Sequence, residues 1–449
     1  MASEELPWHV RVRTSKRFIV GSVIIAVFTD TALYGLLTPV LPTVIHQRCA
    51  VAEQQIQFFT SLAVGMMGAG NMIGACLFGY LADHTRNRRN PFLLGLSIFI
   101  AATATIWAAH HIALMVIGRF SQGLASAAVW SVGLALLVDT VESEHVPSAM
   151  GWVNLGFCSG TVVGPMVGGF VYSYAGFDAV MGAAVGLLGV DVVLRILIIE
   201  KSDVDATSKL KDDSPDNERT NLLHQSRPDN HEVEYEDSND SRQSESEFAY
   251  KTLLSSRKFL TSLGCALVQA MTMGAFEVTL PLHLQKVSDY APSQTALAFV
   301  PLMVPAFFAP LVGTACEHLG NRIVAWTGYA VLGTMLVLLR LHTGDSTIQQ
   351  VGLFVDLAFI GTAMTMIMTP VLADISVVVD ALEEERPGRF GPRGAQAQGY
   401  GLFELFYSGG TLVGPLLAGW LRNDFSWGAM TLVLGLLNLS TTALILSGP

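Results

Sequence analysis

Charged residues are scarce in this 449-residue chain: Asp, Glu, Lys and Arg together make up 14% of it, whereas hydrophobic residues make up 51%. A soluble domain of this length needs a larger charged surface to stay in solution. The composition therefore excludes an ordinary soluble enzyme or binding domain. With a mean hydropathy of +0.47, it indicates a membrane protein.

Sequence signals for several kinds of chemistry are also missing. The five cysteines show no paired spacing, so we expect neither a disulfide framework nor a metal site. No GxxxxGK[ST] sequence is present to bind ATP, and no nucleophile is accompanied by a base or a metal cluster. The chain also has no basic face for nucleic acid. We therefore predict a protein that is not an enzyme, uses no cofactor and binds no nucleic acid.

Twelve apolar stretches fill most of the chain, and each approaches the ~20 residues that cross a ~30 Å hydrocarbon core. We predict an all-α membrane protein with a tail at 1–17, a six-helix bundle at 18–199, a loop at 200–257, a second six-helix bundle at 258–446 and a short end at 447–449. The predicted membrane spans are 18–40, 58–80, 92–109, 112–138, 149–172, 177–199, 259–284, 294–315, 322–341, 350–373, 396–420 and 426–446.

The two halves of the chain repeat each other in sequence. The Gly-Pro pair at 164–165 returns as 414–415, and the segment 79–88 returns in outline as 313–322. Repeats in register predict two homologous bundles of the same orientation, related by an axis along the membrane normal. The fold class that we expect is therefore twelve helices in two pseudo-symmetric six-helix bundles.

Lys and Arg are concentrated on one side of the predicted spans, the side of the N-terminus. Basic residues near span ends are retained in the cytoplasm, so we expect both chain ends and the central loop to be cytoplasmic. The loop at 200–257 is acidic, polar and nearly free of aromatic residues, which predicts a disordered tether. Within it, Glu218, Leu222 and Leu223 resemble an acidic dileucine signal that would bind a sorting adaptor; an inert linker is the alternative.

Three motifs resemble those of the major facilitator superfamily, and the resemblance covers all twelve predicted spans. The segment 79–88 looks like the signature between helices 2 and 3, and 119–123 looks like the arginine motif of helix 4. The segment 160–169 looks like the helix 5 motif of antiporters. Together they resemble the drug:proton antiporter branch, which implies a transporter that works by alternating access.

A finer resemblance is to the vesicular amine transporters and their fungal relatives. Asp30 resembles their helix 1 aspartate, Glu277 their helix 7 glutamate and Asp374 their helix 10 aspartate, while Glu404 stands where they carry a helix 11 aspartate. Met67 falls near the place of their helix 2 lysine, so the charge network is smaller here.

Acidic residues inside apolar spans carry the main physical argument. A carboxylate in hydrocarbon costs on the order of 2.5–3.5 kcal/mol on insertion scales, so it usually faces a cavity or a partner. Asp30 lies about 18 Å into its predicted helix and Glu404 about 14 Å into its own. We hypothesise that these two flank one cavity and bind a proton and a cationic substrate alternately, with Glu277 nearer the non-cytoplasmic mouth. The alternative is that a neighbouring Ser, Asn or Arg satisfies each acid.

Buried arginines need partners as well. Arg119 requires a carboxylate or several carbonyl groups at its depth, and the resemblance links it to proton transfer; a structural ion pair is the alternative. Asp191 and Arg195 stand one helical turn apart, so we expect them to neutralise each other.

The resemblance assigns two further sets of residues. A gating latch at the cytoplasmic rim consists of Gly79, Asp83, Arg88, Glu317 and Arg322. Asp139 and Asp374 are expected to be rim partners of this latch, and Asp374 is also a candidate for the proton path. Glycines four apart leave a groove that another backbone can approach, and we hypothesise that they form the sealed face on which the halves rock. This antiporter-type helix motif comprises Gly160, Gly164, Pro165, Gly168, Gly169, Gly414 and Pro415.

The leading hypothesis is a monomeric proton-coupled antiporter that moves a small organic, cationic or amphipathic compound out of the cytosol. The alternatives are a nutrient facilitator or symporter of the same fold and a non-transporting membrane sensor. We expect a multi-pass protein of the lipid bilayer, in the plasma membrane in the first place and in a vacuolar or vesicular membrane in the second.

Overall fold

A computed structural model describes residues 11, 13–85, 87–198, 249–288, 299–342, 347–391 and 393–447. Nearly all of them are helical. The dileucine-like residues Glu218, Leu222 and Leu223, together with most of the predicted tether, lie outside the described residues. Two ends of the molecule are distinguished below: the Asp83 end, where Asp83 and Arg88 lie, and the Arg48 end opposite to it.

The first half contains six spans. The segment Val146–Leu197 is one continuous assignment, but it turns back at Gly176, whose φ of 75° is readily adopted only by glycine. Its two parts, 146–175 and 177–197, are spans 5 and 6. Spans 1 to 4 are Lys16–Leu37, Glu53–His84, Arg89–Trp107 and Ile112–Thr140, and a short helix, Leu41–Cys49, follows span 1.

The second half begins with a short helix, Ala249–Ser255, which we call the linker helix. Ala249 and Leu253 of this helix are buried, so the final residues of the predicted loop at 200–257 are helical and packed rather than disordered. Spans 7 to 12 are Arg257–Ser288, Phe299–Leu319, Asn321–Leu339, Thr347–Glu385, Gln396–Asp424 and Trp427–Ser447.

The twelve predicted spans are confirmed over the described part of the chain. Ten helices there are long and apolar enough to cross a membrane. One of the ten, the segment that turns back at Gly176, crosses twice. Span 11 is too polar to be counted among the ten, but its 29 residues extend over about 43 Å, which exceeds a ~30 Å core.

Glycine faces hold spans together within each half. A Cβ added to Gly164 in span 5 would lie 2.5 Å from the main-chain oxygen of Ala32 in span 1. Gly414 in span 11 meets the main chain of Met271 in span 7 in the same way. The predicted close approach is correct. The predicted location between the rocking halves is wrong, because each glycine face packs inside its own half.

The two halves meet closely at the Asp83 end. A Cβ on Gly79 in span 2 would lie 2.8 Å from the main-chain oxygen of Ala397 in span 11. On the other side, a Cβ on Gly313 in span 8 would lie 2.6 Å from the main-chain oxygen of Pro147 in span 5. Backbones this close leave no passage for a solute beside them, so both seams are sealed at this end.

Candidate functional site

Asp30 lies in the middle of span 1 and is buried, with 4% of its surface exposed. Its Oδ2 atom accepts hydrogen bonds from the Ser126 hydroxyl at 2.9 Å and from the Trp130 indole at 3.0 Å. Both donors belong to span 4, whose helix widens into a π turn at Val129–Gly133. Such turns occur frequently at functional sites, and this one carries the indole that contacts Asp30. Both of these hydrogen bonds stay within the first half.

Glu404 in span 11 is equally buried, but its contacts cross between the halves. Its Oε1 atom accepts hydrogen bonds from the amide of Asn71 in span 2 and from the Ser408 hydroxyl in its own helix, the latter at 3.3 Å. The same Asn71 amide donates to Ser408 at 3.0 Å. The charges of Glu404 and Asp30 are close enough to interact. The predicted pair of acids from opposite halves therefore faces one region at the interface.

Arg119 in span 4 is fully buried and has no carboxylate at ion-pair distance among the described residues. One terminal nitrogen of its guanidinium donates to the Gln122 side chain at 3.3 Å and contacts the Met67 sulfur at 3.7 Å. Its Nε atom and its second terminal nitrogen have no hydrogen-bond acceptor in the described part of the chain. A cation held in this way can accept a further anionic or polar partner.

Glu277 in span 7 and Tyr34 in span 1 are polar residues that lie within the apolar spans, one in each half. Both are exposed, Tyr34 at 39%. Their exposure contrasts with the sealed seams at the Asp83 end.

A small cavity of about 50 Å³ lies between span 5 of the first half and spans 7, 8, 10 and 11 of the second. It is lined mainly by apolar side chains such as Met273 and Met364, and Asn154 and Tyr407 are among its polar groups. This volume holds a few water molecules rather than an organic molecule. A substrate could occupy it only after the surrounding helices move apart.

The gating latch of the first half forms a buried charge network. Arg88 pairs with Asp83 at 2.7 Å and with Asp139 at 2.5 Å, and it donates to the main-chain oxygen of Arg393 in the second half at 3.3 Å. Asp83 also accepts the first main-chain amides of span 11, those of Ala397 at 3.1 Å and of residue 398 at 2.8 Å. A carboxylate at a helix N-terminus is stabilised by the unpaired amides there. The latch therefore joins the two halves.

The repeated latch of the second half makes different contacts. Arg322 donates to the main-chain oxygens at the end of span 12, those of residues 445 and 446 at 3.1 and 2.9 Å. Asp374 accepts a hydrogen bond from Asn321 at 2.9 Å. Glu317 contacts His145 of the first half at 3.4 Å, and the imidazole is largely exposed. Among the described contacts, the sequence repeat is therefore not matched by a repeat of the ion pairs.

Two further sequence predictions can be compared with the structure. Asp191 and Arg195 form the expected buried pair at 2.6 Å, which is confirmed. In the antiporter-type motif, Gly160, Gly164 and Gly168 meet the main chain of span 1, whereas a Cβ on Gly169 would meet open space. The motif therefore combines packing glycines with one that has no close neighbour.

Two contributors to the site were missed by sequence reasoning. Asn71 could have been found as an amide inside an apolar span, because such polar groups usually bond to a neighbouring helix. Trp130 gave no comparable signal, since an aromatic residue in a span is ordinary packing. Its role depends on the π turn, which appears only in the structure.

Comparisons with known proteins agree with this architecture. A model of the Major Facilitator Superfamily matches residues 23–390. An uncharacterized MFS-type transporter of Schizosaccharomyces pombe is 32% identical and covers 93% of this chain and 92% of its own length. A probable vesicular acetylcholine transporter of Danio rerio is 28% identical over 36% of this chain and 34% of its own.

Among solved structures, the human organic anion transporter MFSD10 matches with a TM-score of 0.70 at 15% identity, over 96% of this chain and 99% of that one. This likeness shows the fold alone. With the family model, the full-length relative, the twelve spans and the two repeated bundles, the chain belongs to the Major Facilitator Superfamily and is a multi-pass secondary transporter of the membrane.

Proposed function

We propose that this transporter is a proton-coupled antiporter that moves an organic cation or amphipathic compound out of the cytosol. The observation that carries the proposal is the pair of buried carboxylates in opposite halves, Asp30 and Glu404, one of which bonds across the interface to Asn71. A carboxylate at this depth in the membrane is costly, so such acids usually pair with another group or belong to a substrate or proton pathway.

Competition for these carboxylates supplies the coupling. A carboxyl group among apolar atoms favours its neutral, protonated form, whereas a bound cation favours the charged form. A proton and a cationic substrate therefore exclude each other at the same group. Because Glu404 also bonds to Asn71 of the other half, a change in its proton or substrate occupancy alters a contact between the halves.

A difference between the two ends of the molecule supports alternating access. The Asp83 end is closed by the glycine seams and the latch, while Tyr34 and Glu277 are exposed toward the other end. Placed in the membrane by the Lys and Arg bias, with the Asp83 end cytoplasmic, this arrangement faces away from the cytosol. The plasma membrane remains our first choice of location, and a vacuolar or vesicular membrane the second.

The comparisons support a cationic substrate to a limited extent through the name of one relative, a probable vesicular acetylcholine transporter, since acetylcholine is a cation. Arg119 supports a second candidate, a carrier of a compound with an anionic group, because its buried guanidinium lacks a carboxylate partner among the described residues. A transport panel that contains amines, zwitterions and organic acids distinguishes the two candidates.

The test uses the purified chain in proteoliposomes with an imposed pH gradient. Substrate uptake and proton flux are measured for the wild type, Asp30→Asn and Glu404→Gln. Asp178→Asn serves as the control, since that acid forms an exposed pair with Arg48 away from the site. We expect both site variants to lose gradient-driven uptake and the control to keep it. Coupled transport retained in Asp30→Asn would remove Asp30 from the mechanism, and transport without any proton flux would favour a facilitator.

A further inference from the structure

The small cavity between the halves is lined by a side chain with an unused hydrogen-bond acceptor. Gln269 of span 7 lines this cavity and is 5% exposed. Its Nε2 atom donates to the main-chain oxygen of Met364 in span 10 at 3.0 Å. Its Oε1 atom is buried and accepts no hydrogen bond from the described residues. A buried acceptor that stays unpaired is unfavourable, so a molecule that donates to it gains binding free energy.

The bond to Met364 fixes the orientation of the Gln269 amide. A main-chain oxygen can only accept, so it must face the NH₂ group of the amide. Exchanging the amide oxygen and nitrogen would bring two acceptors together, which the hydrogen-bond network disfavours. Gln269 therefore offers an acceptor, and not a donor, to a molecule that enters beside it.

Other polar groups of the cavity already have partners. The Asn154 amide donates to Thr369 at 3.3 Å, and its oxygen accepts from the Cys158 thiol at 3.5 Å. The Thr365 hydroxyl donates to a main-chain oxygen one turn earlier in its own helix, at 2.9 Å. A new bond to one of these groups would be a second bond or would compete with the first. For the Gln269 oxygen, it would be the first bond.

The rest of the cavity wall suits a cation with apolar substituents. Methionine side chains are flexible and adapt to the shape of a bound molecule. Phe157 of span 5 and Tyr407 of span 11 contribute aromatic rings, which attract cations. Their ring centroids lie 6.4 Å apart in an edge-to-face arrangement across the halves. Four methionines line the same cavity: Met273, Met303, Met364 and Met368.

We infer that Gln269 determines which cations this transporter accepts, and that the substrate is a protonated amine that keeps an N–H bond and has an apolar or aromatic body. The ammonium N–H donates to Gln269 Oε1, and the apolar body packs among the methionines. A quaternary ammonium has the same charge and similar apolar groups but no N–H, so it leaves this oxygen unpaired. The inference rests on the proposed function, because it specifies the class of cation within it.

The test measures binding of matched amine pairs to the purified full chain in nanodiscs at neutral pH, by isothermal titration calorimetry against empty nanodiscs. Each pair is a protonated dimethylamine and its trimethylammonium counterpart, with a benzyl, phenethyl or phenylpropyl body. We expect the wild type to bind the dimethylamine roughly 10- to 100-fold more tightly, as a hydrogen bond to a charged group implies. Gln269→Met keeps a side chain of similar length without the acceptor, so its preference should shrink to within about 3-fold.

The matched control is Thr365→Val, which removes a polar group of the same cavity that is bonded within its own helix. It should keep the preference of the wild type. Trimethylammonium compounds that bind Gln269→Met as tightly as the wild type show that this variant is folded. The same preference in Gln269→Met and the wild type, or no preference in the wild type, would overturn the role of Gln269.

Failure of the proposed function gives a different result. Amines that bind with the expected preference but cause no proton flux in proteoliposomes would overturn proton-coupled antiport and leave the role of Gln269 in place. No binding of any member of the three pairs would overturn both.

Discussion

Over the described residues, the two halves of the molecule share their packing but differ in the charged contacts that they show. Span 5 rests on span 1 and span 11 on span 7 through glycines at matching positions. The charged residues differ: Arg88 joins two carboxylates in the first half, whereas Arg322 in the second half bonds to main-chain oxygens at the end of span 12. Asp30 is bonded within its own half, and Glu404 is bonded across the interface.

This difference shows which features a duplicated bundle can vary. Close helix contacts depend on the absence of a side chain, so any replacement of the glycine meets a backbone. An ion pair depends on its particular partners, so a copy in which both charged groups find other partners can dispense with it, whereas removing one partner alone leaves a buried charge uncompensated. In the second half, the hydrogen bond of Glu404 to Asn71 depends on the distance between the halves. In the first half, Arg88 and its two carboxylates form the latch.

The largest effect on stability is expected at the packing glycines, which both halves share. Gly164→Leu and Gly414→Leu place a side chain against the main chain of a neighbouring span, which costs about 3 kcal/mol or more because neither backbone can yield. Gly169→Leu is the matched control, since open space surrounds that position. The yield of monodisperse protein and the Tm should fall for the first two variants and stay near the wild type for the third. Equal stability of Gly164→Leu and Gly169→Leu would contradict the packing argument.

The second-largest effect is expected at the latch of the first half, and it should distinguish this latch from its repeat in the second half. Arg88→Gln breaks a buried pair with Asp83 and Asp139 and should lower the free energy of unfolding by about 3 kcal/mol. Arg322→Gln removes its two described hydrogen bonds to main-chain oxygens, and their loss should cost about 1 kcal/mol. Thermal unfolding of the two variants under one condition measures the difference. A larger loss in Arg322→Gln would reverse the assignment of the latch.

A smaller effect should be visible in the opening of the Asp83 end. Asn71→Ala removes a bond to Glu404 across the halves, whereas Asn154→Ala removes a neutral contact with Thr369, also across the halves, at 3.3 Å. The readout is maleimide labelling of Gln398→Cys in a cysteine-free background, because that residue is buried in the seam. We expect labelling to accelerate roughly tenfold for Asn71→Ala, as loss of its two hydrogen bonds, to Glu404 and Ser408, implies. For Asn154→Ala we expect about twofold, and equal acceleration in both would remove Asn71 from the coupling.

The smallest effect is expected at the repeat partner of Asp83. Glu317 contacts an exposed His145 at 3.4 Å, and exposed pairs contribute between about 0 and 1 kcal/mol. Glu317→Gln should therefore leave the Tm nearly unchanged, whereas Asp83→Asn weakens both the Arg88 pair and the cap on span 11. Comparable shifts in the two variants would show that the second latch is as strong as the first.

Much of the fold could be predicted because its signals are local. Apolar stretches of the right length marked the spans, and the one helical turn between Asp191 and Arg195 was enough to predict their pairing. The end of the loop was misjudged, because the linker helix is stabilised by packing of Ala249 and Leu253 and not by its own composition. The candidate acids were identified individually, but their donors were not, since Ser126 and Asn71 reach them from other spans.

The sequence by itself determined a twelve-span duplicated membrane protein, two acids in opposite halves and a glycine row on spans 5 and 11. Each of these follows from the hydrocarbon core, which demands long apolar helices and makes a buried charge conspicuous. Only the tertiary structure decided that the glycine faces pack within the halves, that Glu404 is bonded to Asn71, and that the Asp83 end is the closed one. Those facts depend on contacts between residues far apart in the chain, which helical periodicity cannot specify.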